Sequence, residues 1–129
     1  MIVGTGVDLA EIERVARALG SAHAGRFIER VFTEGERRYC ESRGRGRVES
    51  YAARFAAKEA VMKALGVGWG RHAGWRDIEV VRERGQAPRI ALAGSARRTA
   101  ERRGIDRVWV ALSHSGPLAI AFVVAERDS

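Results

Sequence analysis

RFAAKEAVMKALG, residues 54 to 66, is the stretch whose reading decides the fold. It belongs to a long central helix predicted from about Glu49 to Leu65. Gly66, Gly68, Gly70 and Gly74 break the segment beyond it. On a helical wheel of ~100° per residue, Ala52, Phe55, Ala56, Met62 and Gly66 all fall within ~60° of Glu59. A carboxylate therefore stands in the middle of an apolar face. Left unpaired there it is costly, so it needs a cation, a hydrogen-bond partner or a metal. The simplest partner is Lys63, an i,i+4 neighbour ~40° away on the same wheel.

Working outward from this helix, the flanks read as mixed α and β. Ile2 to Leu9 has the look of a strand. Ile12, Val15, Ala16 and Leu19 repeat at helical spacing, predicting an amphipathic helix from Glu11 to Leu19 that ends at Gly20. Thr33 and Glu36 form a T-x-x-E capping box opening a helix to about Ser42. Ser42 to Val48 (SRGRGRV) reads as a mobile basic loop between helices. After the glycines, Asp77 to Glu83 and Arg89 to Leu92 read as strands around a turn at Gly85 and Pro88. Ser95 to Arg103 is a basic helix. Arg107 to Ser113 and Leu118 to Ala125 form an apolar hairpin around Gly116-Pro117. Helices thus lie between an N-terminal strand and a C-terminal group of strands. The fold class is α+β: a single domain, residues 1–129, with a long central helix on a mainly antiparallel sheet.

Composition narrows the function classes. The 129 residues are 46% hydrophobic, a globular composition, and carry a formal net charge of +7. That excess favours anionic partners: nucleic acid, polyphosphate ligands, acidic proteins or anionic membranes. No apolar run approaches the ~20 residues of a membrane span. The N-terminus has neither the basic nor the apolar region of a signal peptide, so a cytoplasmic protein is expected. Cys40 is the single cysteine, read as a partly buried structural thiol, and no Cys/His cluster suggests zinc.

Several other residues could carry chemistry. Asp8 ends the first strand. With Glu11 it has D-x-x-E spacing, and local pattern favours a helix cap. The alternative is that Asp8 shares a cation with Glu59, since Mg²⁺ is often held by one or two carboxylates plus substrate phosphates. Ser113-His114-Ser115 closes a strand. Neighbouring strand residues point to opposite faces, which argues against a Ser-His nucleophile pair and leaves a polar strand end or an anion-binding rim. The glycines after the central helix match no phosphate-loop fingerprint. Arg14 and Arg17, then Arg26 and Arg30, form either a solvated basic face or a docking surface for an acidic partner.

Taken in order, GTGVDLAEIERV, RFIERVFTEGE, RFAAKEAVMKALG, WRDIEV, GQAPRIALAG and VALSHSGPLAIAFVV resemble the segments of the holo-acyl-carrier-protein synthase family, the small phosphopantetheinyl transferases. The likeness spans nearly the whole chain. It implies Mg²⁺-dependent transfer of 4′-phosphopantetheine from coenzyme A to a serine of an apo acyl carrier protein, releasing adenosine 3′,5′-bisphosphate. It implies that Asp8 and Glu59 hold Mg²⁺ and that Lys63 stands near the reacting phosphates. Arg54, Lys63, Gly66, Ser113 and His114 would line the coenzyme A site. Arg14 and Arg26 would bind the acidic carrier protein. A homotrimer with active sites at subunit interfaces is also implied. Glu59, acting through a water, is the candidate base. Leu118 and the arginine-rich SRGRGRV loop depart from the family pattern and leave carrier preference open.

Two other classes compete. One is a basic nucleic-acid-binding module, which the charge favours, although the aromatic residues form no stacking platform on one strand and no RNA-binding motif is present. The other is a non-catalytic binder of carrier protein.

Overall fold

The computed structural model describes every residue except Trp69, Arg71 and Ser129. Strand β1 (Ile2–Glu11) leads directly into α1 (Ile12–Leu19), followed by α2 (Ala24–Val31) and α3 (Glu34–Glu41). A short 3₁₀ turn, Gly44–Gly46, enters the central helix α4 (Arg47–Leu65). A second 3₁₀ turn, Trp75–Asp77, precedes β2 (Ile78–Val81) and β3 (Arg89–Leu92). Helix α5 (Gly94–Arg102) and the hairpin β4 (Arg107–Ser115) and β5 (Leu118–Glu126) complete the α+β fold.

The main sheet is antiparallel in the order β1-β5-β4. Asp8 pairs with Ala121 and Val7 with Phe122, while Leu112 also pairs with Ala121. Strands β2 and β3 form a separate antiparallel ribbon. The period of two along β1 and β5 explains how α4 seats. Gly4, Gly6, Asp8 and Ala10 share one face with Ala119, Ala121, Val123 and Ala125, and the four β5 residues are buried. These small side chains let α4 come very close. A Cβ on Gly6 would overlap the carbonyl of Ala60, and one on Gly4 that of Ala64.

Helix α4 is apolar on nearly every side because it is buried on nearly every side. Tyr51, Val61 and Leu65 are fully buried, with Phe32 set edge-on to Tyr51 at 4.8 Å. The helix ends at Gly66, whose φ of 75° is left-handed. Gly66 N–H donates to the Lys63 carbonyl and Val67 N–H to that of Met62, a Schellman stop.

Several expectations need correction. Asp8 does not cap α1: the N-cap is Glu11, which makes no side-chain cap hydrogen bond, and Asp8 lies inside β1 facing α4. The loop read over Ser42 to Val48 is shorter, since Gly44–Gly46 coil into a turn and Arg47 is already helical, paired with Glu41 at 2.8 Å. Helix α2 was not read from the sequence. The strand expected from Asp77 to Glu83 keeps only Ile78–Val81, because Asp77 is taken up by the preceding turn. Cys40 is completely buried rather than partly so. The Thr33–Glu36 capping box forms as expected.

Candidate functional site

The end of β1, helices α1 and α2 and the middle of α4 enclose a cleft of about 410 Å³. Asp8, Arg14, Phe27, Phe55 and Glu59 line it. Strand alternation aims Asp8 at α4, and Lys63 reaches back to meet it. Lys63 Nζ donates to Asp8 Oδ1 at 2.9 Å and to the Val7 carbonyl at 2.9 Å. The hydrogen bond to Asp8 raises the Lys63 pKa, so the ammonium is secure at neutral pH.

Lys63 therefore pairs with Asp8 and not with Glu59, as the i,i+4 spacing had suggested. Glu59 is half-buried and has no hydrogen-bond or ion-pair partner among the described residues. Burial pushes its carboxyl pKa up, and the negative Asp8 pushes further, against the opposing pull of Lys63 and Arg14. Two carboxylates on rigid elements thus face one cleft, one of them unanswered.

This donor set fits a hard cation that keeps waters and takes part of its shell from phosphate oxygens. Among the described residues no group of three or more His, Cys, Asp or Glu side chains gathers to build a closed metal cage. The pair Asp8 and Glu59 could hold Mg²⁺ only as an open site, which is what a metal shared with substrate requires.

A second cleft, of about 450 Å³, lies on another flank of α4. Arg54 stands ~140° around the helix from Glu59. The cleft is lined by Arg54, Arg43, Arg45, Arg82, Ser113 and His114. Arg54 is 3% exposed, with its guanidinium 4.1 Å from the centre of the Tyr39 ring. Its Nη1 donates to the Ser50 carbonyl at 3.3 Å, while buried Nε and Nη2 have no hydrogen-bond partner among the described residues. A buried guanidinium with two spare donors suits an anion. His114 pairs with Ala119 in the sheet and so shares the α4-facing side, whereas Ser113 belongs to the opposite side. This agrees with the absence of a Ser-His nucleophile pair.

The remaining candidates sit apart. Gly66 closes α4, and the space a Cβ would take is occupied by the Arg103 guanidinium. That contact, together with its positive φ, already accounts for the glycine. Arg26 is exposed on α2 and lines neither cleft. Arg17 pairs with Glu13 at 3.5 Å on the solvated side of α1.

The sequence reading missed Arg43, Arg45 and Arg82 as lining residues. The arginine-rich SRGRGRV loop was the available signal for the first two. It also missed Lys58. The Lys58 ammonium is fully buried, 2.7 Å from Glu36 Oε1, and donates to the carbonyls of Trp75, at 2.9 Å, and of Ile78. Burial pulls its pKa down while Glu36 opposes the shift.

The arrangement has counterparts. The model of the 4′-phosphopantetheinyl transferase superfamily matches residues 4–123. A holo-[acyl-carrier-protein] synthase of Solibacter usitatus is 45% identical over 126 residues, covering 98% of this chain and 99% of that protein. The chain belongs to the holo-[acyl-carrier-protein] synthase family. Solved structures of the family agree with its fold. The synthase of Neisseria meningitidis superposes with a TM-score of 0.88 at 31% identity, over 98% of this chain and 100% of that one. The synthase of Helicobacter pylori, solved in complex with coenzyme A, gives 0.81 at 30% identity, over 95% and 99%. No described helix is long and apolar enough to cross a membrane.

Proposed function

We propose that the cleft holding Asp8, Glu59 and Lys63 is the reacting centre of a 4′-phosphopantetheinyl transfer from coenzyme A to a serine of apo acyl carrier protein. The observation that carries this is the Glu59 carboxylate, without a hydrogen-bond or ion-pair partner among the described residues, facing the Asp8–Lys63 pair in an open cleft. The family gives the reaction, and residues 1–129 act as one cytoplasmic transferase domain.

Asp8 and Glu59 would hold Mg²⁺, which when bound offsets negative charge on the pyrophosphate oxygens. Lys63 sets a fixed positive charge at the same place, where negative charge grows as the carrier serine attacks the β-phosphate and adenosine 3′,5′-bisphosphate leaves. Glu59, made more basic by burial, is placed to accept the serine proton through a water.

Arg54 offers its two spare donors to a phosphate of coenzyme A, with Ser113 and His114 at the rim of the same cleft and Gly66 at the end of α4. Arg14 opens onto the reacting cleft and Arg26 stands on the neighbouring exposed helix, a disposition suited to an acidic helix of the carrier.

The two clefts lie on different flanks of α4, so a coenzyme A that uses both is best completed by a second copy. The outer face of the main sheet supports assembly. Val7, Leu9, Phe122 and Trp109 are each about half exposed, side by side on adjacent strands. An apolar surface of this kind is uncommon on a monomer and marks an interface. A homotrimer with shared active sites is the reading that uses it. Phe122 lies among Val7, Leu9, Ile120 and Val124, an apolar setting that suits protein, while Trp109 at the edge of the face lines a cleft with Arg89 and Arg107 and donates to Glu126.

Titration calorimetry with coenzyme A tests the centre. Binding is expected to strengthen several-fold on adding Mg²⁺, and Asp8→Asn and Glu59→Gln are expected to abolish that gain. Equal gains in the variants and the parent would refute the assignment.

A further inference from the structure

We propose that Lys58 and Glu36 are positioning residues: their buried ion pair fixes the rotation of α4 about its axis and so holds Glu59 at its working distance from Asp8. The inference rests on Asp8 and Glu59 forming the cation site.

Lys58 and Ala60 flank Glu59, each ~100° from it around the helix. On the Ala60 side α4 is located by contact. Gly6 of β1 lies against the Ala60 carbonyl with no room for a Cβ. On the Lys58 side it is located by hydrogen bonds. An ammonium has three donors, and here three acceptors face it: Glu36 Oε1, the Trp75 carbonyl and the Ile78 carbonyl. The acceptors come from α3, the 3₁₀ turn and β2, so three elements grip one point of α4.

Glu36 is itself held in place. Its Oε1 accepts from Thr33 N–H at 2.9 Å and its Oε2 from Val80 N–H at 2.8 Å. Thr33 Oγ1 in turn donates to Glu79 Oε2 at 2.9 Å. Phe55 stacks on Trp75 with ring centres 5.2 Å apart, joining the same turn to the wall of the reacting cleft.

Such a pair is an uneconomical way to gain stability. Both side chains are fully buried, and apolar replacements of buried ion pairs are often as stable or more so. What apolar packing does not supply is direction. A carboxylate ~6 Å from the axis swings by about 2 Å if the helix rolls by ~20°. Mg²⁺ demands near-ideal octahedral geometry with short bonds, so a shift of that size would lose a ligand. Residues that orient metal ligands from outside the coordination shell are worth about 10- to 100-fold in metal affinity.

The test compares Lys58→Met and the double variant Glu36→Gln/Lys58→Met with the parent. In the double variant the glutamine oxygen keeps an acceptor for Thr33 or Val80 and neither buried charge remains. Mn²⁺ binding is followed by loss of the electron paramagnetic resonance signal of free Mn²⁺, alongside thermal melting and the Mg²⁺ dependence of transfer. The double variant leaves the Trp75 and Ile78 carbonyls and one backbone N–H without their partners. It is therefore expected to melt below the parent while staying folded, and to bind Mn²⁺ about tenfold or more weakly. It should also need correspondingly more Mg²⁺ for half-maximal transfer, with the KM for carrier protein unchanged. A folded double variant with parental Mn²⁺ affinity and Mg²⁺ requirement would overturn the proposal, as would a folded Lys58→Met with both. Glu59→Gln is the control: parental Mn²⁺ affinity there would show that the cation site itself is misassigned.

Discussion

At Glu59 burial and the nearby Asp8 both work against the charged form, and no hydrogen bond among the described residues answers them. A carboxyl whose pKa is raised on folding contributes stability below the ordinary carboxylate range, and that contribution is lost as pH rises through the raised value. At neutral pH the charged Glu59 therefore costs stability in the metal-free protein. Glu59→Gln is expected to raise the melting temperature at neutral pH without metal while transfer falls by about 10²-fold or more. A melting temperature below the parent's would contradict this. Lys63→Met is expected to lower kcat by about 10²-fold, because its charge acts where negative charge develops.

Cys40 supplies a different check on the residue scale. Its thiol is fully buried and pushed up to about 12, chiefly by burial. It should resist iodoacetamide at mildly alkaline pH as long as the chain is folded and react only on unfolding. Glu59 and Asp8 were legible in the sequence because a carboxylate on an apolar stripe and one at a strand end are both conspicuous. Their separation from the Lys63–Glu59 and Asp8–Glu11 pairings was not. Local spacing offers those partners equally, and only the long-range packing of β1 on α4 decides.

At the scale of elements, the β1–α4 contact sets the site. Gly6→Ala would drive a Cβ into the Ala60 carbonyl and force the helix off the strand. It is expected to destabilise by about 1–3 kcal/mol, read from denaturant melts. The surviving protein should show weaker Mg²⁺ dependence. The alternation Gly4, Gly6, Asp8, Ala10 held this information, since small residues at every second position mark a strand face pressed against a helix and place Asp8 on that face. The capping box at Thr33 was legible because it is local, and Thr33→Ala is expected to cost about 1 kcal/mol. Lys58 was hidden because its partners, Glu36, Trp75 and Ile78, lie 17 or more residues away in sequence. Helix α2 is no shorter than α1 and α3, but its N-cap His23 makes no side-chain cap hydrogen bond, so it lacked the start signal that marked α3.

For the whole molecule, the arrangement of Arg54 and Glu59 on separate flanks of α4 and the apolar outer sheet face point the same way. The proposed assembly predicts that the parent scatters light as an oligomer, that Trp109→Glu or Phe122→Glu scatters as a monomer, and that transfer falls in proportion. A monomeric variant with full activity would refute shared sites. The sequence could not display this face, because Val7, Phe122 and Trp109 look like ordinary core residues until the register sets them together on the solvent side.

The most direct measurement is the intact mass of an apo acyl carrier protein after incubation with the enzyme, coenzyme A and Mg²⁺, with Glu59→Gln in parallel. The account predicts a gain of about 340 Da, the phosphopantetheine arm, with the parent and Mg²⁺ together, a gain at least about 10²-fold slower with Glu59→Gln, and none with metal chelated. The same gain at the same rate with Glu59→Gln would contradict the assignment of the reacting centre to the Asp8–Glu59 cleft.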